Sequence, residues 1–118
     1  MTRSNLHITL TGGKQIICVA DSSSAPEQGY IVEQVLIPLL NFDDRDQELE
    51  LLKNHCTMDD RRTNATYRYE INLMTKKVSM YEENYNFRAE RFYKGKDLTE
   101  RYSSYVENLK NQEHEKGT

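Results

Sequence analysis

Seven of the eight tyrosines in this 118-residue chain fall between Tyr67 and Tyr105, and the run opens in strict alternation. Tyr67, Tyr69, Ile71 and Leu73 are separated by Arg68, Glu70 and Asn72. A period of two places one set on each face of a strand, with apolar rings on one side and charged groups on the other. Tyrosine suits such a sheet because its ring can be buried while its hydroxyl meets water or a partner. The pattern describes a surface rather than an active site.

The first half of the chain supplies the other elements. Leu6 to Leu10 and Gln15 to Ala20 flank Gly12-Gly13, a two-residue hairpin signal because both turn positions tolerate positive φ. That turn sets Leu6 opposite Val19, Ile8 opposite Ile17 and Leu10 opposite Gln15, and on the other side His7 opposite Cys18. After the connector Asp21 to Pro26, Ser24 and Glu27 fit a capping box. A core helix follows, with Ile31, Val35 and Leu39 at helical spacing and Pro38 kinking or ending it. Asp43 or Asp44 caps a second helix carrying Leu49, Leu51 and Leu52, which stops near Cys56. Thr57 to Asn64 reads as a charged loop.

The second half continues from the alternating strand through a turn at Thr75-Lys76 into Val78 to Tyr81. Segment 85–96 fits a helix face or a strand, and its aromatic content favours a strand from Phe87 to Tyr93 that turns at Lys94-Gly95-Lys96. Asp97 and Glu100 offer a second capping box before an amphipathic helix with Leu98, Tyr102, Tyr105, Val106 and Leu109. Hairpins and helices alternating without βαβ crossovers predict an α+β fold. The expected architecture is one domain over residues 1–112, a mainly antiparallel sheet packed by about three helices, with a polar, disordered tail at 113–118.

Charge and cysteine content narrow the uses. Residues 1–57 carry four cations against eight acids, a net of −4, whereas 58–112 carry eleven against nine, a net of +2. That balance argues against broad duplex-DNA binding. Two isolated cysteines suggest reduced thiols and a cytoplasmic setting. The longest apolar stretch, Tyr30 to Leu40, is too short to span a bilayer, so no membrane partner is expected.

Several constellations hold residue types used in chemistry. His7 facing Cys18 would allow imidazole to activate a thiol, but only generic supporting groups such as Asp21 are on offer, which makes a Cys–His enzyme the least favoured function. Cys18, Cys56, His7 and His55 are zinc-ligand types without the local spacing that structural zinc sites use. The acids at 43–46 and 59–60 lack the EF-hand pattern, and Gly12-Gly13-Lys14 lacks the spacing of a phosphate loop. No catalytic, metal or cofactor residues are therefore assigned. The reading is a non-enzymatic protein-interaction or accessory domain. Its interaction residues are Tyr67, Tyr69, Tyr81, Tyr85, Phe87, Arg88, Arg91, Tyr93, Lys94 and Lys96, with the C-terminal helix face as a second surface, and its partner is another protein or a second copy in a homodimer. The alternative is single-stranded nucleic acid on the aromatic and basic segment 85–96.

Overall fold

The computed structural model describes residues 2–116, excluding the side chains of 113–116. Among the described residues six strands form one sheet in the order β3-β2-β1-β4-β5-β6. They are β1 (Ser4–Thr9), β2 (Gln15–Ala20), β3 (Thr57–Met58), β4 (Tyr67–Asn72), β5 (Lys77–Asn86) and β6 (Arg91–Asp97). Helices α1 (Ile37–Asn41), α2 (Arg45–His55) and α3 (Thr99–Lys116) accompany them, with a 3₁₀ turn at Pro26–Gln28 and a π-helical segment at Ile31–Leu36 that runs directly into α1. The α+β class and the mostly antiparallel sheet are as expected from sequence. One pairing is not: β1 and β4 are parallel. A parallel pair needs a long crossover, and the helices between β2 and β4 provide it.

Rows of residues run straight across the sheet. Cys18, Leu6, Tyr69 and Met80 form one row, and Ile16, Ile8, Ile71 and Val78 form the next on the same face. This face carries the core, where the two rows meet Ile31, Val32, Val35, Leu36, Leu39, Leu52 and Tyr102. The intervening rows, Val19-Asn5-Arg68-Tyr81 and Ile17-His7-Glu70-Ser79, lie on the opposite face. Among the described residues that second face bears no helix.

The hairpin register differs from expectation by one residue. Leu10 N donates to the Lys14 carbonyl and Gly13 N to the Leu10 carbonyl, so the loop is Thr11-Gly12-Gly13, with both glycines at positive φ (101° and 98°). Leu6 therefore faces Cys18 and His7 faces Ile17. A slip of one residue exchanges the two faces of a strand, and it moves Cys18 into the core while leaving His7 on the other side. β2 is apolar at Ile16, Ile17, Cys18, Val19 and Ala20, so alternation could not choose between the registers.

Other corrections are local. The Ser24–Glu27 capping box does not form: Ser24 Oγ contacts Ser4 and the Ala20 carbonyl, Gln28 accepts from Ala25 N, and Glu27 pairs with Arg101. The long helix consequently starts at Ile31 as a π-segment, in which Ile37 N reaches back to the Val32 carbonyl. Pro38, lacking an N–H, sits where that segment becomes α-helical, and the helix ends at Asn41. Thr57–Met58 pair with β2 instead of opening a loop. The turn expected at 94–96 lies at 87–90, with Glu90 at φ 53°, because β5 runs on to Asn86. Gly95 instead sits inside β6 beside a bulge, where a Cβ would stand 2.5 Å from Asn84 Nδ2 and 2.9 Å from Glu82 Cβ.

Helix α2 is capped at its start by Asp44, whose side chain accepts from Asp46 N, and at its end by Cys56, stopping where expected. Asp97 accepts from Thr99 N at the start of α3, and α3 runs to Lys116. The tail expected at 113–118 falls on residues whose side chains, and at 117–118 also backbone, lie outside the described part. No helix of the described residues is long and apolar enough to cross a membrane.

Candidate functional site

The β5–β6 hairpin extends the sheet at one end and gathers most of the residues the sequence pointed to. Tyr85 packs edge-on against Phe92 (4.7 Å between ring centroids) and Phe87 (4.8 Å). These three rings share the face away from the helices, since Tyr85 pairs with Phe92 across the ladder. Tyr93, next along β6, lies on the reverse face. Phe87 and Tyr93 are 74% and 52% exposed, and Arg88, Arg91, Lys94 and Lys96 are exposed beside them.

Tyr67 and Tyr69 are not part of this group. Tyr69 is fully buried, donates to the Ser24 carbonyl at 2.7 Å and meets the Tyr102 ring edge-on. Burial pushes its phenol pKa well above the usual range. Tyr67 is half-buried, and its hydroxyl accepts from Arg101. Both are packing residues, because β4 is a central strand and its helix-facing side chains have nowhere else to go. Tyr81 occupies the open face, under the Lys94 ammonium at 4.5 Å.

The hairpin is anchored at its root by a buried ionic cluster. Glu83, whose side chain is fully enclosed, accepts from Arg68 Nε (3.1 Å) and Nη2 (2.8 Å) and from Asn5 Nδ2 (2.9 Å). Arg61 Nη2 stands 3.8 Å from the same carboxylate, and its guanidinium lies 3.7 Å over the Phe92 ring. Asn5 also holds the loop bearing Arg61, accepting from Arg62 N and donating to its carbonyl. Arg61 was invisible in the sequence pattern, which leaves it in a charged loop. Only the folded loop shows that it bridges aromatic and acidic groups.

Beside the cluster, the open face forms a shallow trough of about 860 Å³ bordered by His7, Thr9, Ile17, Glu70 and Lys77. His7 Nε2 is buried without a hydrogen-bond partner. Burial, followed by the nearby Arg61 and Arg68 charges, lowers its pKa to about 4, so the ring is neutral near pH 7. The Cys18 thiol expected opposite it lies on the other face of the sheet. Cys18 lies in the core beside Cys56, and that neighbour together with burial pushes the Cys18 thiol pKa up while Cys18 holds that of Cys56 down. His55 meets Tyr30 through a 2.7 Å hydrogen bond. The four candidate zinc ligands are thus divided between two faces, and among the described residues no group of three or more His, Cys, Asp or Glu could hold a metal ion.

A second depression, about 780 Å³, runs between α1 and α3 and is lined by Ile37, Leu40, Tyr102, Val106 and Leu109. It is the apolar stripe anticipated for the C-terminal helix, buried at Tyr102 and partly open at the others. Comparison with protein-family models, with curated proteins and with solved structures finds no match.

Proposed function

We propose that this chain is a non-enzymatic protein-interaction or accessory domain that meets its partner through the β5–β6 hairpin, in a cytoplasmic setting. The observation that carries this reading is the pairing of exposed rings, Phe87 and Tyr93, with four exposed cations on one ribbon whose root is held by a buried ion cluster. Aromatic and arginine side chains on a rigid support are what interface centres use. His7 and Cys18 lie on opposite faces, so the one nucleophile and base suggested by the sequence do not meet.

The partner is a protein, and a second copy of this chain is the first to test, with the groove between α1 and α3 as its second point of contact. Single-stranded nucleic acid is the runner-up, and ring geometry supports it less. Bases stack on free ring faces, but Arg61 covers Phe92, Lys94 covers Tyr81 and Arg101 lies over Tyr67. Sedimentation equilibrium over a wide concentration range tests self-association, with Phe87→Ser/Tyr93→Ser as the weakened variant. Oligonucleotide binding that falls steeply with salt and vanishes when Arg88, Arg91 and Lys96 are neutralised would replace the protein-partner reading with the nucleic-acid one.

A further inference from the structure

The sheet ends differently on its two sides. On one side β3 is two residues long, and Asp59 N donates to the Ile17 carbonyl next to it, closing part of the β2 edge. On the other, β6 spans seven residues, pairs only with β5 and has no neighbour beyond it among the described residues. A strand of that length with free backbone groups along one edge is a template for another strand. It contains no proline, and its ladder to β5 is regular over residues 91–94, the irregularity between Tyr81 and Glu83 of β5 falling opposite Gly95 and Lys96.

Charge decides which strand it accepts. Residues 88–97 hold Arg88, Arg91, Lys94 and Lys96 against Glu90 and Asp97, a local net of +2 on a chain whose net charge is −3. Lys94 is partly engaged with Glu70 at 3.4 Å. Arg91 and Lys96 make no ion pair among the described residues. In the antiparallel register about Tyr93 and Lys94, two copies of β6 would set Arg91 against Lys96 twice, a like-charge arrangement that disfavours that pairing. The same cations favour a strand carrying carboxylates.

From this we infer that β6 is a strand-addition site for an extended acidic segment of a partner protein, which lengthens the sheet to seven strands. The inference rests on the protein-interaction reading above and narrows it. It assigns the backbone edge of β6 to recognition and the cations Arg91 and Lys96 to selecting acidic sequence, with Phe87 and Tyr93 as flanking contacts.

The test uses the full chain and two synthetic eight-residue peptides, one alternating Glu with Val and the other alternating Lys with Val. Each is also made with alternate backbone amides N-methylated. Affinity is read by fluorescence anisotropy, and the contact surface by amide hydrogen exchange. The acidic peptide should bind at least about tenfold more tightly than the basic one and should slow exchange across 91–97. N-methylation should abolish both effects. Arg91→Glu/Lys96→Glu should reverse the preference, and Arg91→Gln/Lys96→Gln should remove it without changing the far-ultraviolet circular dichroism.

Equal affinity for the two peptides, or no binding of the acidic one at about millimolar concentration, overturns the inference. So does binding that protects only the hairpin tip or the α1–α3 groove, although that outcome leaves the protein-interaction reading standing. Conversely, steep salt-dependent binding of oligonucleotides with no peptide binding removes both.

Discussion

Two hairpins of this sheet follow opposite designs. The β1–β2 hairpin is embedded: its strands lie in the middle of the sheet, and its loop is fastened to α2 by Glu48, a fully buried carboxylate that accepts from Thr11 N (3.0 Å) and Thr11 Oγ1 (2.6 Å). The β5–β6 hairpin is fastened below its tip, by the β4 ladder, the Glu83 cluster, the Arg61–Phe92 contact and the Lys94–Glu70 pair, and its turn residues 87–90 are all exposed. Each ribbon also carries one enclosed carboxylate, placed at the turn in the first and toward the base in the second. The difference separates a hairpin that builds the domain from one that the domain presents.

The largest test of that contrast is Arg68→Ala. It leaves the Glu83 carboxylate enclosed with Asn5 and a more distant Arg61, so it should cost about 3–5 kcal/mol, measured by urea unfolding. A loss below about 1 kcal/mol would mean that the root is not held by charge.

Glu48→Ala comes next, at about 2–3 kcal/mol, since it strands two Thr11 donors at the embedded turn. Hydrogen exchange should speed up at 10–14 while 87–90 stays unchanged. Acceleration confined to the β5–β6 turn would erase the distinction between the two ribbons.

His7 links the regions through pH. Its pKa is about 4 in the fold against 6.5 in an open chain, so between those values the unfolded chain takes up a proton that the folded chain refuses. Stability is complete in this respect above about pH 6.5 and falls as pH drops toward 4. His7→Gln should flatten that part of the pH profile in thermal denaturation, and an unaltered slope would show that the ring is not shielded.

Gly95→Ala should destabilise by about 1–2 kcal/mol, because the new methyl meets Asn84 and Glu82 at the bulge. The fault should appear as faster exchange along β6. Smallest of all, Phe87→Ser should change stability by less than about 0.5 kcal/mol while weakening self-association or partner binding in the same preparation. If stability falls as far as binding, the tip is part of the packed structure and not a presented surface.

How far the sequence could reveal this architecture depended on whether each signal was local. Alternation from Tyr67 to Leu73 identified β4, the Asp44 cap identified α2, and Asp97 marked the start of α3, because each relies on neighbours a few residues away. The β1–β2 register escaped because an apolar β2 satisfies either face and the choice fell to loop length. The Glu83 cluster escaped because Asn5, Arg61 and Arg68 converge from three separated segments, and charges alternating on a strand resemble a solvated face. Tyr69 was placed on the surface for the same reason: nothing in β4 alone reveals that strands flank it on both sides.

The parallel join between β1 and β4 also sets an order of assembly. Each half of the sheet, β3-β2-β1 and β4-β5-β6, is antiparallel internally, and the β1–β2, β4–β5 and β5–β6 hairpins close over short loops, whereas β3 joins β2 only after residues 21–56. Their union is the Ser4–Tyr67 to Thr9–Asn72 ladder, in which partners stand 63 residues apart in every pair, as 67 less 4 shows. Closing so long a loop loses chain entropy before any contact compensates for it. Folding should therefore proceed from the preformed β1–β2 and β4–β5–β6 ribbons to one slow docking event, with the helix-bearing segment and β3 between them as the tether. Substitutions in that ladder should slow refolding, whereas those at the β5–β6 tip should leave the rate unchanged.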